Sequence, residues 1–294
     1  GLCAEPDDPE VLRLAGLEHP QCAGVLAMNT DDQANLTVAI SAKLLAPHRP
    51  VISRAAFHDT EANLASFGTD HILNPFDLFA ERFALALRAP SLYLLYAWLT
   101  GSQREADPPH PPTDGRWILC GYGRFGKAMQ ERLAFEGIRP VIIEAEPERT
   151  EAPQGTVVGR GTEAHTLREA GAEQAAGLIA GTDNDTNNLS ILLTARQLNP
   201  RLFTVARQWR SHNEPLFAAA RPDLVMEPGT LLAREVLGLL LTPLLPEFLA
   251  AAQERDEAWA NELLSRVAGA MDQRTPATWA VRLDPRQTPA VYRA

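Results

Sequence analysis

Cysteine is scarce in this chain of 294 residues: Cys3, Cys22 and Cys120 stand far apart. Three scattered thiols exclude a disulfide framework and a cysteine-built zinc cluster, and they fit a reducing compartment. Basic charge is also short, with 27 Lys and Arg against 37 Asp and Glu and a net charge of −10. That balance argues against a nucleic-acid partner, since phosphate neutralisation needs a basic surface. The seven histidines are dispersed, without metal-ligand spacing. No serine sits in a nucleophile elbow, and no other catalytic constellation is apparent. The N-terminus lacks the basic region and apolar core of a signal peptide. Long apolar runs are missing too. Leu78–Leu99 is broken by Glu81, Arg82, Arg88 and Pro90, and Leu231–Ala251 by Arg234, Glu235, Pro243, Pro246 and Glu247. Neither reaches the roughly 18 uninterrupted apolar residues of a membrane span. Both read as buried interface helices.

What the sequence does contain is a repeat. Sliding the chain by 153 residues aligns Gly24–Pro90 with Gly177–Pro243 without a gap, and 17 of the 67 positions are identical. Average composition would give roughly one match in fifteen. "VLAMNTDDQANL" (Val25–Leu36) is answered by "LIAGTDNDTNNL" (Leu178–Leu189), and Arg54, Asp70 and Pro75 by Arg207, Asp223 and Pro228. Upstream, "VLRLAG" at 11–16 answers "TLREAG" at 166–171. A unit of this length is a duplicated domain and not a solenoid repeat.

Periodicity in the second copy predicts strands at Trp117–Cys120, Val141–Glu144, Thr156–Val158, Leu178–Ala180, Phe203–Ala206 and Leu224–Met226. Helices are predicted at Lys127–Glu136, Glu163–Ala170, Asn188–Gln197 and Glu214–Ala220. Such alternation implies α/β architecture with parallel sheets, here two tandem Rossmann-like, doubly wound domains. The first copy begins after its third strand, so the alignment predicts a further β-α-β portion of about 43 residues upstream of Gly1. The predicted boundaries are 1–106 for the first domain, 107–115 for a stiff proline-rich linker within "ADPPHPPTDG", and 116–246 for the second domain. Residues 247–294 form a C-terminal helix and tail. In that last segment Phe248–Met271 reads as one amphipathic helix and Thr278–Leu283 as a strand.

The motif with chemical content is "CGYGRFGKA". Gly121, Gly123 and Gly126 fit G-x-G-x-x-G between a predicted strand and a predicted helix, and Glu144 ends the next strand. That context is a dinucleotide fingerprint. The glycines permit a tight turn, close approach of a pyrophosphate and close helix–strand packing, while the helix N-terminus offers free amides. Glu144 suits ribose hydroxyls and disfavours a 2′-phosphate. Arg124 is placed to reach a phosphate or to remain solvated. Asp32 and Asp185 read first as helix N-caps, with a place in the ligand crevice as the alternative. Thr182 is the better neighbour for a ligand. Arg54 and Arg207 end the fifth strand of each copy and face either the crevice or a buried ion pair.

The ordered string "WILCGYGRFGKAMQERLAFEG", "VIIEAEPER", "LREAG", "GLIAGTDNDTNNL" and "VAR" resembles the RCK domain, also called TrkA-N or KTN. The first copy, with "VLAMNTDDQANL", "VISRA" and "NPFDLFA", resembles the later half of the same domain. The resemblance implies a non-enzymatic, cytoplasmic regulator at the inner face of the membrane. It binds NAD(H) in the first instance, or ATP, ADP or AMP, and controls a potassium channel pore or the membrane subunit of a transporter. It also implies a homo-oligomer, a dimer or a tetrameric ring of eight domains, paired through the helices at Leu78–Leu87 and Leu231–Leu241. The binding residues it implies are Gly121, Gly123, Arg124, Phe125, Gly126, Glu144, Thr182, Asp183 and Arg207. Two features depart from the family pattern. Arg160 stands where the family often has Asp, and no C-terminal lobe separates the two units. The competing readings are an NAD-dependent oxidoreductase and a ligand-free scaffold.

Overall fold

The computed structural model describes residues 4–5, 8–100, 109–242 and 244–271. The first repeat contains, in chain order, α1 (Pro9–Leu14), β1 (Val25–Ala27), α2 (Asp32–Leu45), β2 (Val51–Arg54), α3 (His58–Ser66), β3 (His71–Leu73), α4 (Pro75–Arg88) and α5 (Pro90–Leu99). The second contains β4 (Trp117–Cys120), α6 (Arg124–Phe135), β5 (Val141–Glu144), α7 (Pro147–Thr150), β6 (Val157–Val158), α8 (Ala164–Glu169), β7 (Gly177–Ala180), α9 (Asp185–Leu198), β8 (Phe203–Arg207), α10 (Glu214–Ala220), β9 (Leu224–Met226) and α11 (Pro228–Leu241). Two helices follow, α12 (Leu245–Gln253) and α13 (Glu257–Met271).

Strands β2, β4 and β7 are buried along their whole length. The apolar runs of β4 and β7 are what a parallel sheet needs when helices cover both faces, while β2 (VISR) ends in the buried polar residues Ser53 and Arg54. The second repeat forms a six-stranded sheet in the order β6-β5-β4-β7-β8-β9, all pairs parallel. Order reverses between β4 and β7, so the sheet has a topological switch point there, where ligands bind beyond the strands' carboxyl ends. The first repeat forms a three-stranded parallel sheet, β1-β2-β3, equivalent to β7-β8-β9. The paired helices α2 and α9, and α4 and α11, keep the same lengths and the same sequence offset.

By contact density the chain forms two compact units: Gly1–Ala84 with Pro112–Leu232, and Leu85–Pro111 with Ala233–Ala294. In the first, both sheets have their own cores. Ala39, Ala42, Val51 and Leu64 pack in one, and Ile118, Leu178, Ile191 and Phe217 in the other. The start of α4 lies on the second repeat. Phe76, Phe79 and Phe83, at helical spacing on one face, meet Phe125 and Trp117 with ring centroids 5.5–6.3 Å apart. In the second unit, Leu92 and Leu95 of α5 pack on Ala252 of α12 and on Ala260 and Leu264 of α13. There Ser91 donates to Asn261 Oδ1 at 2.7 Å, and its amide donates to Glu257 Oε1 at 2.8 Å.

Several boundaries differ from those expected. Helix α6 starts at Arg124, because Gly123 turns directly into it and Gly126 lies inside its first turn. The single helix expected at Phe248–Met271 is two. The chain breaks after Gln253, and Asp256 accepts from the Trp259 amide at 2.9 Å to begin α13. In the linker, residues 109–115 are neither helix nor strand. The strand expected at Thr278–Leu283 lies outside the described residues. Among the described residues no single helix is long and apolar enough to cross a membrane; α11 and α12 reach that length only together, bent by 110°.

Candidate functional site

The loop leaving β4 makes three different demands on its glycines. Gly121 has φ +93°, and a Cβ there would lie 3.1 Å from the Thr182 nitrogen. Gly126 sits under the turn, where a Cβ would strike the Gly121 carbonyl oxygen. Gly123 is unlike both: its φ is −74°, open to any residue, and a Cβ would meet nothing within 4 Å. The protein itself gives no steric reason for glycine at 123. Gly123 is also the N-cap of α6, and no side chain accepts a hydrogen bond from that helix's first turn. A 12-residue helix therefore presents unsatisfied amides and the positive end of its dipole beside free space. This cradle fits a phosphate.

Glu144, at the end of β5, is buried at 8% exposure. Its two oxygens accept backbone N–H bonds from Tyr122 (2.6 Å) and Glu146 (2.9 Å). The carboxylate thus braces the glycine loop and keeps its remaining lone pairs for a ligand. Loop and carboxylate open into a cavity of about 940 Å³, near the upper size of small-molecule sites. Its wall runs from Gly159 and Arg160, past Glu144 and Gly121–Arg124, to Thr182, Asp183 and Asn187. The first repeat closes the opposite side with Ala56, Phe57, His58, Asn74, Phe76 and Asp77.

Guanidinium groups concentrate beside this cavity. Arg124 stacks across the repeats, its Cζ 4.3 Å from the Phe57 ring centroid and 5.4 Å from that of Phe76. Among the described residues it forms no ion pair. Arg54 is buried against Asp32 at 3.3 Å and donates to the carbonyls of Asn29 and Thr30. Burial lowers its pKa, the Asp32 charge opposes that, and the like charges of Arg124 and Arg207 add to the lowering. Arg207 is likewise lowered by burial, held up by Asp183 and pushed down again by Arg124. Arg54 and Arg207 are each paired with an aspartate, Asp32 and Asp183, which leaves Arg124 as the cation of the three that lines the cavity without an ion pair among the described residues. At the rim, ligand atoms of His58, Glu61 and Asp77 lie within 4.8 Å of one another. The hydrogen bond with Glu61 raises the His58 pKa, while burial and then Glu61 raise that of Asp77. His58 is therefore less isolated in space than its sequence position suggests.

Of the residues read from the sequence, Gly121, Gly123, Arg124, Glu144, Thr182 and Asp183 line the cavity. Phe125, Gly126 and Arg207 do not. Phe125 is fully buried against Phe76 and Phe79. Gly126 is a packing position under the loop. Arg207, 3% exposed, lies among Phe76, Phe125 and Trp209 and pairs with Asp183. The aspartates expected to cap helices do something else. The caps are Asp31 and Asn184, which accept from the amides of Gln33 and Asn187. Asp32 instead accepts from the amides of Ala56 (2.7 Å) and Phe57 (3.0 Å), and Asp185 from those of Trp209 (2.6 Å) and Arg210 (3.0 Å). Asn35 and Asn188 complete the pattern, each donating to the carbonyl of the arginine that ends the adjacent strand. The doubled phrase is a clamp between crossover loop and neighbouring strand, built twice. The wall contributed by the first repeat, and Arg149 and Thr150, carried no sequence signal for this site, because only the tertiary fold brings them there; Arg160, which the sequence marked as a departure from the family pattern, lines it as well.

The TrkA-N domain family model matches residues 1–75 and 117–228. Potassium channel protein 1 of Methanocaldococcus jannaschii is 28% identical over 150 residues, 49% of this chain and 45% of that protein. A Trk system potassium uptake protein TrkA homolog of Pyrococcus abyssi is 29% identical over 136 residues, 43% of this chain and 60% of that protein. The crystal structure of GsuK bound to ADP superposes with a TM-score of 0.61 at 22% identity, covering 81% of this chain and 56% of GsuK. The GsuK channel bound to NAD gives 0.62 at 19% identity, covering 81% and 55%. At these identities the likeness to GsuK is one of fold. The chain spans less than two thirds of the length of each of these proteins.

Proposed function

The chain belongs to the TrkA-N domain family, and from that membership we propose that it is a nucleotide-sensing module that regulates potassium flux. The ligand is NAD(H), with ATP, ADP or AMP as the alternatives. The membrane partner is a potassium channel pore or a transporter subunit, joined in the same chain or bound in trans. The module works at the cytoplasmic face as a homo-oligomer, a dimer or a ring of eight domains. The observation that carries this reading is the uncapped amino end of α6, beside open space at Gly123, facing a wall supplied by the other repeat.

Amides of the first turn and the Arg124 guanidinium hold the phosphates, Glu144 accepts from ribose hydroxyls, and Phe57 and Phe76 exclude water on the far side. A ligand that touches both repeats binds more tightly to the arrangement that brings their walls together. It shifts the population toward that arrangement by no more than this difference in affinity. The relative motion of the repeats is then available to a pore. An oxidoreductase would need a proton donor beside the reacting ring. Among the described residues the Lys, Tyr and His side chains on the wall are Lys127, Tyr122 and His58, and each is engaged within the protein, with Glu151, Gln130 and Glu61 respectively.

Calorimetry with NAD, NADH, ATP, ADP and AMP tests the sensor. At least one is expected to bind, and Gly123→Asp is expected to weaken it about a hundredfold or more with an unchanged circular dichroism spectrum, because a carboxylate then occupies the phosphate cradle. If none binds at millimolar concentration, the sensor role is lost.

A further inference from the structure

The cavity continues past the ribose position. Beyond Glu144 it is lined by Arg149 and Thr150 of α7, and by Gly159 and Arg160 at the carboxyl end of β6. In the sheet order β6-β5-β4, phosphates over β4 and a ribose at the end of β5 leave the base over β6. The side chains at this end differ in what they have left to offer. Each Glu144 oxygen already accepts a backbone N–H, and the lone pairs that remain are those assigned to the ribose. Arg149 is ion-paired with Glu146, and the Thr150 hydroxyl donates to the Glu146 carbonyl at 3.2 Å. Arg160 is exposed and, among the described residues, makes no hydrogen bond or ion pair. The polar side chain without a partner that lines this end of the cavity is thus a guanidinium, which carries five donors and no acceptor.

We propose that Arg160 is a specificity-determining residue of this cavity, selecting a nucleotide whose base presents adjacent acceptors. The O6/N7 edge of a 6-oxopurine, guanine or hypoxanthine, takes the arginine fork in two parallel hydrogen bonds. Adenine offers N7 beside a 6-amino donor, so one arm of the fork meets a donor. A 2′-phosphate could also engage a guanidinium, but its place is beside the Glu144 carboxylate. The proposal rests on the phosphate and ribose part of the nucleotide reading and departs from it at the base, ranking inosine and guanosine nucleotides above the adenosine nucleotides named there.

The test is calorimetric titration of the full chain with ADP, IDP and GDP, and with NAD against nicotinamide hypoxanthine dinucleotide, which exchanges the 6-amino group for oxygen. NADP is titrated beside NAD. The chain is expected to bind IDP and GDP at least about fivefold more tightly than ADP, the lower bound for a bidentate arginine–purine contact. Arg160→Asp is expected to reverse the order by supplying an acceptor for the amine, and Arg160→Gln to level it. Because Arg160 is exposed, these variants retain the fold, which circular dichroism checks. Equal affinity for ADP and IDP, or a preference left unchanged in Arg160→Asp, overturns the proposal while leaving the nucleotide site standing. Preference for NADP over NAD that disappears in Arg160→Gln also overturns it, since the guanidinium then reads a ribose phosphate. Failure of every nucleotide to bind removes both the proposal and the reading beneath it.

Discussion

The repeated residues are clamps, and their energetics differ by position. Asp185 is 7% exposed and accepts from two backbone amides and from Asn213 Nδ2 at 2.7 Å. Asp185→Ala leaves three donors without a partner and is expected to cost about 2–4 kcal/mol, read as a lower midpoint in urea denaturation. Asp70, the repeat counterpart of Asp223, ties the start of β2, accepting from Lys43 Nζ (2.7 Å) and the Val51 amide (2.6 Å). Burial acts to raise its pKa, yet the Lys43 hydrogen bond, the Val51 amide and the Lys43 charge outweigh that and hold it below its ordinary value of 3.8. A depressed carboxylate stabilises the fold above its unfolded pKa, and that share is lost as pH falls through the folded value. Asp70→Asn is therefore expected to flatten the stability profile below about pH 4, while leaving its shape at neutral pH unchanged. A wild-type acid limb identical to the variant's would contradict this. The sequence made these residues visible by repeating them. Their roles were hidden, because a helix cap and a cross-loop clamp use the same residue types one position apart.

At the scale of elements, strands read best from sequence, since a buried parallel strand is a short apolar run between breakers. Six elements of the second repeat illustrate the limit: α6, α8, α9, β6, β7 and β8 begin or end one to three residues from where periodicity placed them. Gly126 concealed the first turn of α6, because glycine in a helix is a poor signal until packing explains it. The placement of α4 was invisible. Its apolar run read as a buried interface helix and the resemblance gave it a pairing role between domains, but neither pointed to Phe125 and Trp117 of the other repeat, on which its start packs. Phe83, 2% exposed, makes an edge contact with Trp117 at 5.5 Å. Phe83→Ala is expected to destabilise the fold by about 3–5 kcal/mol, with a change in the tryptophan near-ultraviolet signal. Arg132→Ala, which breaks an exposed pair with Glu81, is expected to change stability by under about 1 kcal/mol.

For the molecule as a whole, duplication decides what was legible. Two parallel sheets followed directly from the alignment, as did the intact glycine loop of the second copy. The site could be read only in part, since one of its walls belongs to the first repeat and no local pattern states which surfaces of two repeats will meet. Nucleotide binding is expected to slow amide hydrogen exchange at residues 121–127, and also at 56–61 and 74–77 across the cavity. Protection confined to the glycine loop would mean that the ligand engages one repeat alone and has no lever on the other. The distinction is measurable without knowing the pore.

Gly123 and Gly126 stand three residues apart in one loop, yet they answer to different masters. A library of variants sorted only for folding should tolerate nearly any residue at 123 and almost none at 126, because the collision at 126 is internal and the space at 123 is empty. Sorting the same library for response to a nucleotide should close position 123 as well. The gap between those two outcomes separates selection for a shape from selection for what enters it.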